Sequence, residues 1–207
     1  MTDIAPSTTL RDVIGLDNRP PRLSESVLLM IDFQNTYRTG VMSLDGAEPA
    51  LAAAARLLER ARAAGAPVVH IVNDGGENSP YDIRAHIGSI SDPVAPAGAE
   101  PVVVKQFPDA FHATDLEKVL TDLNAGPGSG KDLVLAGFMT HMCVTFTAQG
   151  AFNLGYRPTV VAETTATRAL TAPDGTVLPG AALQTAALTT VTDLFGLVVP
   201  TVDGLPS

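Results

Sequence analysis

The feature that most restricts the fold of this chain is a series of short apolar runs, separated by stretches with helical patterning. An uninterrupted apolar run is typical of a strand that is covered on both faces, as in a parallel sheet. Such runs occupy residues 27–31, 67–72, 102–104, 133–136, 158–162 and 197–199. We therefore predict that these residues form the strands of a buried sheet.

Helical patterning fills intervals between these runs. Helices are predicted over residues 49–64, 114–123, 140–154 and 181–193, with Gly65 as a C-cap candidate for the first. Strands that alternate with helices predict a three-layer α/β fold, with a mostly parallel sheet and helices on both faces. We expect an N-terminal arm at residues 1–25, the folded domain at 26–200 and a C-terminal tail at 201–207.

Composition argues against several classes of protein. Apolar residues make up 45% of the 207 residues and charged residues 17%, which favours a folded chain over a disordered one. The formal net charge of -9 repels nucleic acids and anionic membranes, so we expect neither as a partner.

The N-terminus lacks the apolar segment of a secretion signal, and no apolar run is long enough to cross a bilayer. With one cysteine and no internal disulfide, these features predict a cytoplasmic protein.

Three chemically capable side chains follow the predicted strands. Asp32 closes the first strand, Lys105 closes the third, and Cys143 lies in the first turn of the helix after the fourth. Ligands of open α/β sheets bind beyond the carboxyl ends of the strands, where these residues converge. Taken singly, each has an ordinary alternative: a turn-forming aspartate, a lysine that reaches solvent, or a buried apolar cysteine. Together they supply a nucleophile, a proton acceptor and a cation, and we expect the cation and the helix N-terminus to lower the thiol pKa.

The same residues lie in segments that resemble the motifs of the isochorismatase-like cysteine hydrolases. The segment LAGFMTHMCV at 135–144 resembles that family's nucleophile motif, and LMIDFQN at 29–35 resembles its aspartate motif. Lys105, followed by AF at 110–111 and TDL at 114–116, resembles its lysine motif. The segments AFNLGY at 151–156 and ATR at 166–168 also match, so the resemblance extends from about residue 26 to 199.

The resemblance implies a six-stranded parallel sheet and a catalytic triad of Asp32, Lys105 and Cys143. It also implies a non-proline cis peptide between Phe138 and Met139. The oxyanion of the reaction is then expected to bind the backbone N–H groups of Met139 and Cys143. The resemblance further implies a homodimer or a homotetramer.

One departure from the superfamily concerns metal binding. Nicotinamidases of this superfamily bind a metal through an Asp-x-His pair and a further histidine after the second strand. The matching segment here is NDGGE at 73–77, with glycine in place of the first histidine, and His86 alone leaves the site incomplete. We therefore expect no metal, no cofactor and a substrate other than nicotinamide.

Aromatic and polar residues beside the motifs are the candidates for a substrate pocket. For the phenylalanines, packing in the core is an equal alternative. The candidates are Phe33, Tyr37, Phe107, Phe111, Phe138, Thr140 and His141. The connection over 73–101 is rich in Gly, Pro, Ser and Asp, and a connection of this length is typical of a binding loop that closes over a substrate.

The predicted function is hydrolysis of a small amide, carbamoyl or lactam C–N bond through a thioester on Cys143. The presence of the thiol favours this amidase branch. One alternative is hydrolysis of an isochorismate-type vinyl ether, with Asp32 as general acid and Cys143 idle. The other is a catalytically silent dimer that serves as a binding module.

Overall fold

Six parallel strands form the central sheet in the computed structural model, which describes residues 7–207. The strands are β1 (Ser26–Ile31), β2 (Val68–Asn73), β3 (Val102–Lys105), β4 (Asp132–Phe138), β5 (Pro158–Ala166) and, at one edge, β8 (Leu197–Val199). Their order is β3-β2-β1-β4-β5-β8, and every neighbouring pair is parallel. The predicted α/β fold is therefore confirmed.

Helices cover both faces of this sheet. They are α1 (Leu10–Val13), α2 (Ala47–Ala63), α3 (Leu116–Asp122), α4 (Thr145–Asn153) and α5 (Gly180–Thr190). The apolar face of α2 packs on one side of the sheet, while α3 and α4 pack on the other. Within β1, Leu28 and Met30 belong to the first core cluster, whereas Val27, Leu29 and Ile31 belong to the second. Because successive side chains of a strand point to opposite faces, burial on both faces explains the uninterrupted apolar run.

The element after β4 differs from the predicted helix over 140–154. Thr140–Val144 forms a π-helical turn, and the α-helix α4 begins only at Thr145. The N–H of Val144 donates to the carbonyl of Met139 at 3.2 Å, a spacing of five residues. Cys143 therefore lies in a widened turn before the α-helix, and not in the first turn of the α-helix itself. π-Helical turns of this kind are frequent at functional sites.

Three further kinds of element were absent from the prediction. A small antiparallel hairpin, β6 (Leu170–Thr171) and β7 (Val177–Leu178), precedes α5. A second π-helical turn, Val191–Phe195, follows α5. Short 3-10 helices lie at Leu23–Glu25, Asn35–Tyr37, Gly40–Met42, His86–Gly88, Asp92–Val94 and Val202–Gly204.

The flanking segments pack on the sheet domain. The N–H of Leu10 donates to Oδ1 of Asp193 at 3.0 Å, and the N–H of Leu23 donates to the carbonyl of Pro206 at 2.9 Å. Residues 1–6 of the predicted arm lie outside the described residues, and the domain boundaries stay a prediction. Among residues 7–207, no helix has the length and apolar character needed to cross a bilayer.

Candidate active site

The carboxyl ends of the strands bring together the three predicted site residues. Asp32 directly follows β1, Lys105 is the last residue of β3, and Cys143 lies in the π-helical turn after β4. Nζ of Lys105 is 2.7 Å from Oδ2 of Asp32 and 3.3 Å from Sγ of Cys143. The three side chains thus form one contacting group, although they are far apart in sequence.

This group is buried almost completely. The exposed fraction is 0% for Asp32, 1% for Lys105 and 6% for Cys143. A buried charge is costly unless a partner compensates it, and the 2.7 Å ion pair between Lys105 and Asp32 supplies that compensation. Within residues 7–207, neither carboxylate oxygen of Asp32 receives a hydrogen bond of normal geometry, despite the short contact with the ammonium. Asp32 therefore retains unused capacity to accept a proton.

Burial dominates the electrostatics of the site. It raises the pKa of the Cys143 thiol, and the Asp32 charge raises this pKa further, while Lys105 opposes the shift. The expectation of a lowered thiol pKa is therefore wrong, because the helix N-terminus and the ammonium do not outweigh desolvation. Burial also raises the pKa of Asp32, even though Lys105 acts in the opposite direction. An aspartate with a raised pKa is a stronger base than one at the surface.

Lys105 keeps its proton in this environment. Burial by itself lowers the pKa of its ammonium, but the ion pair with Asp32 and the hydrogen bond to Cys143 outweigh that effect, and the pKa is raised. The resting arrangement is thus a neutral thiol beside an ammonium and a carboxylate. Such a group places a proton donor and a proton acceptor on the same ammonium.

The local backbone explains how Asp32 reaches the thiol. Asp32 has a φ of +51°, in the left-handed region, so the chain turns sharply as β1 ends. In the neighbouring strand, Gly137 has a φ of +149°, and a Cβ there would lie 2.0 Å from the carbonyl oxygen of Ile31. Only glycine permits β1 and β4 to approach this closely at the site.

Gln34 fixes the position of the segment after β1. Its Nε2 donates to the carbonyls of Asn73, at 3.0 Å, and Gly88, at 2.7 Å, and its Oε1 accepts from the N–H of Asn73 at 3.0 Å. Asn35 adds hydrogen bonds from its Nδ2 to the carbonyl of His86 and to Oγ of Ser89. The connection over 74–101 is therefore anchored on the residues that follow Asp32.

Three of the predicted pocket residues form an aromatic cluster next to this group. The ring of Phe138 lies 4.9 Å from that of Phe33 and 5.7 Å from that of Tyr37, both in edge contacts. All three side chains are buried. Burial raises the pKa of Tyr37, and the charge of Asp32 raises it further, so the Tyr37 hydroxyl lies within electrostatic reach of that carboxylate. Contact of these rings with a substrate stays a prediction.

The other predicted pocket residues lie in different surroundings. Phe107 is exposed and contacts the ring of His112, whereas Phe111 stacks on Tyr156 with ring centroids 5.5 Å apart. Thr140 is buried, and its Oγ1 has no hydrogen-bond partner within residues 7–207. Nδ1 of His141 shares a hydrogen bond with Oγ1 of Thr167. The cis peptide between Phe138 and Met139 is present.

Two further residues near this group were not among the predicted site residues. Tyr81, from the long connection, contacts the ring of Tyr37 at 5.7 Å. Arg168 follows β5, and its Nε is buried without a partner in residues 7–207. The ATR segment at 166–168 carried a signal for Arg168, but Tyr81 lies in a stretch without periodicity and gave none. The described residues contain no group of three or more His, Cys, Asp or Glu side chains arranged to hold a metal ion.

Comparison with known proteins shows the family. Residues 26–199 match the model of the isochorismatase domain. The chain belongs to the isochorismatase family. Over 197 residues it is 29% identical to the secreted isochorismatase effector Isc1 of Verticillium dahliae, covering 95% of this chain and 98% of that protein. It is 32% identical to maleamate amidohydrolase of Pseudomonas putida over 174 residues, covering 72% of this chain and 73% of that one.

Solved structures agree with this assignment. An isochorismatase from Pseudomonas putida superposes with a TM-score of 0.89 at 34% identity, covering 97% of this chain and 100% of that one. The protein thus has the six-stranded α/β fold of the family, and it is an isochorismatase-family hydrolase with amidohydrolases among its relatives.

Proposed function

We propose that the protein hydrolyses the C–N bond of a small amide, N-carbamoyl compound or lactam through a thioester on Cys143. The observation that carries the proposal is the buried contact of Lys105 with both Asp32 and the sulfur, at 2.7 and 3.3 Å. Relatives named as maleamate amidohydrolase, N-carbamoylsarcosine amidase and streptothricin hydrolase, at 32%, 30% and 34% identity, support a C–N bond as the target.

In the first half of the proposed reaction, Asp32 accepts the proton of the Cys143 thiol, and Lys105 stabilises the resulting thiolate. The sulfur attacks the substrate carbonyl carbon, and the N–H groups of Met139 and Cys143 bind the oxyanion. Asp32 then returns the proton to the leaving nitrogen, the C–N bond breaks, and an acyl thioester remains on Cys143.

In the second half, a water molecule enters the space left by the amine. Asp32 takes a proton from this water, and the oxygen attacks the thioester carbonyl. The C–S bond breaks, the carboxylic acid leaves, and the proton on Asp32 returns to the sulfur. One water is consumed, and the site regains its neutral thiol, which is the form that its burial favours.

The test is the Cys143→Ala variant assayed on a panel of small amides, N-carbamoyl amino acids and lactams. The expected result is a folded protein that releases neither ammonia nor acid, because no nucleophile remains. Replacing Thr185, which is exposed on α5, with alanine gives a control with unchanged turnover. Near-normal hydrolysis by Cys143→Ala would show that the thioester mechanism is wrong.

Vinyl-ether hydrolysis is the second candidate. One support is the similarity to the secreted isochorismatase effector, which covers 98% of that protein. The other is the raised pKa of Asp32, which suits a general acid. The same variant separates the two reactions, since hydrolysis of isochorismate does not need the thiol. Isochorismate cleavage that survives in Cys143→Ala, together with no activity on the amide panel, identifies this second function.

A further inference from the structure

Lys105 and Cys143 meet although the strands that carry them are not neighbours. In the sheet, β2 and β1 lie between β3 and β4. Adjacent strands are about 4.8 Å apart, so about 14 Å separates β3 from β4. Strand pairing therefore fixes the 3.3 Å contact between Nζ of Lys105 and Sγ of Cys143 only through two intervening strands. A shorter route runs from the segment that follows Lys105 to the helix α4 that follows Cys143.

The hydroxyl of Thr147 joins this segment to α4. Thr147 lies in α4, four residues after Cys143, and is 0% exposed. Its Oγ1 accepts a hydrogen bond from the N–H of Ala110 at 3.1 Å and donates to the carbonyl of Pro108 at 3.5 Å. One buried side chain thus holds the backbone on both sides of Asp109. Without it the N–H of Ala110 would lose its partner away from water, which is unfavourable.

The side chain of Asp109 fills a gap on the surface of α4. A Cβ at Gly150 would lie 2.4 Å from Oδ1 and 2.6 Å from Oδ2 of Asp109, so only glycine leaves room for the carboxylate in this position. Gly150 lies inside α4, where glycine weakens a helix relative to alanine. Oδ1 also accepts a hydrogen bond from the N–H of Phe111 at 2.9 Å, which fixes the carboxylate in the gap. The helix therefore gives up stability at a position that admits a side chain of the loop.

The segment after β3 is a compact turn that can transmit this anchoring. Oγ1 of Thr114 donates to the carbonyl of Ala110 at 2.6 Å, and Ala113 has a φ of +54°, in the left-handed region. The chain therefore reverses directly after the residues that contact α4. Lys105 lies three residues before Pro108, so a displacement of the contact with α4 reaches the residue that carries the ammonium.

We propose that Thr147 and Asp109 are positioning residues, which hold Lys105 against the sulfur of Cys143 by fixing the loop after β3 on α4. Gly150 belongs to the same arrangement because it admits the carboxylate. The inference rests on the proposed function for its effect on turnover, whereas the contact between the ammonium and the thiol can be followed without any substrate.

The reactivity of the thiol reports this contact. Lys105 opposes the rise of the Cys143 pKa that burial and the Asp32 charge cause, so a longer distance to the ammonium raises this pKa further. Thr147→Val, which keeps the shape of the side chain, and Gly150→Ala should each react with iodoacetamide at least about threefold more slowly than the wild-type protein at pH 9. A segment that merely loosened would expose the sulfur and speed the reaction. Unchanged or faster alkylation in either variant therefore overturns the proposal.

A double variant tests whether Asp109 is the group that meets the new side chain. Gly150→Ala should lower kcat at least about tenfold on the amide that the wild-type protein hydrolyses fastest, with KM little changed, because the reacting group is displaced and not the substrate. Asp109→Ala removes the carboxylate that the new methyl group meets, so Asp109→Ala/Gly150→Ala should recover alkylation and turnover relative to Gly150→Ala alone. Asp109→Asn, which has the same shape, should retain at least about half of the wild-type kcat. Losses that simply add in the double variant would overturn the role of Asp109.

Matched substitutions away from this contact serve as controls. Gly126→Ala would place its Cβ 3.5 Å from Oγ1 of Thr121, an ordinary contact, and Thr185→Val changes an exposed position on α5. Both should leave alkylation and turnover unchanged. If the alkylation rates shift as expected but no amide of the panel is hydrolysed, the positioning role stands and the proposed reaction is wrong.

Discussion

The ammonium of Lys105 contacts the sulfur of Cys143 at 3.3 Å, inside a group that is almost closed to solvent. The same ammonium is paired with Asp32 at 2.7 Å. One cation therefore serves two partners that exchange a proton in the proposed reaction. Whichever of them carries the negative charge, Lys105 compensates it, and the proton moves without leaving an isolated buried charge.

Replacing Lys105 with methionine tests this compensation. The variant leaves the Asp32 carboxylate buried without a cation, which is expected to cost about 3–5 kcal/mol of unfolding free energy. Urea denaturation measures the loss, and kcat is expected to fall at least about 100-fold. Lys118→Met is the control, because the side chain of Lys118 is 73% exposed and solvent screens its pair with Asp122, so the unfolding free energy should hardly change. Equal losses for the two variants would contradict the role given to Lys105.

The pH dependence of alkylation tests the state of the thiol. Burial raises the Cys143 pKa above its value in the unfolded chain, so the folded protein holds the thiol proton more firmly. The rate of reaction with iodoacetamide should still be rising at pH 9, whereas the chain unfolded in guanidinium should titrate near about 8.5. By the same linkage, this group stabilises the fold below about pH 8.5, and its contribution is lost as the pH rises toward the folded pKa.

The Asp32→Asn variant tests whether the charge of Asp32 raises the pKa of the Cys143 thiol. Because the Asp32 charge raises the pKa of Cys143, the variant should titrate at lower pH than the wild-type protein. Its turnover should nevertheless fall, by about 10²–10⁴-fold, since the proton acceptor is lost. A higher thiol pKa in Asp32→Asn would reverse the assigned sign of this interaction.

Gly137→Ala tests the close approach of β1 and β4. The new Cβ would meet the carbonyl oxygen of Ile31 at 2.0 Å, so the strands must separate. We expect a loss of at least about 3 kcal/mol in unfolding free energy, measured by denaturant titration. Gly128→Ala has a positive φ but no atom within 4 Å of its Cβ, and it should lose only about 1 kcal/mol. Similar losses in both variants would mean that backbone conformation, and not the contact, sets the cost.

Gln34→Ala tests the anchoring of the long connection. The variant removes the hydrogen bonds to Asn73 and Gly88, so cleavage by a protease within residues 74–101 should become at least about tenfold faster. Gln106→Ala, at an exposed position, should leave the cleavage rate unchanged. An unchanged cleavage rate in Gln34→Ala would indicate that other contacts hold the connection.

Sequence patterns predicted the sheet because its strands read as uninterrupted apolar runs, which in β1 reflects burial on both faces. The convergence of Asp32, Lys105 and Cys143 followed from their places at strand ends, which a parallel sheet brings to one edge. The thiol pKa was predicted with the wrong sign, because desolvation depends on how closely the surrounding side chains enclose the sulfur. No local pattern reports that packing.

The π-helical turn and the two additional site residues escaped prediction for related reasons. The turn differs from an α-helix by one residue in its hydrogen bonding, and the apolar spacing around Cys143 fits both. Arg168 lies in the ATR segment, which carried a signal, but the lack of an acceptor for its Nε among residues 7–207 is a property of the folded chain. The homodimer or homotetramer and the cytoplasmic location stay predictions.

Gln34 stands two residues after the proposed base, and its N–H donates to the carbonyl of Asp32 at 2.7 Å. Its side chain donates to the carbonyls of Asn73 and Gly88 in and beyond β2. The backbone that carries the proposed base and the long connection after β2 therefore share the hydrogen bonds of one glutamine. A displacement of either segment strains the other, so the position of Asp32 depends on residues more than 50 positions away in sequence.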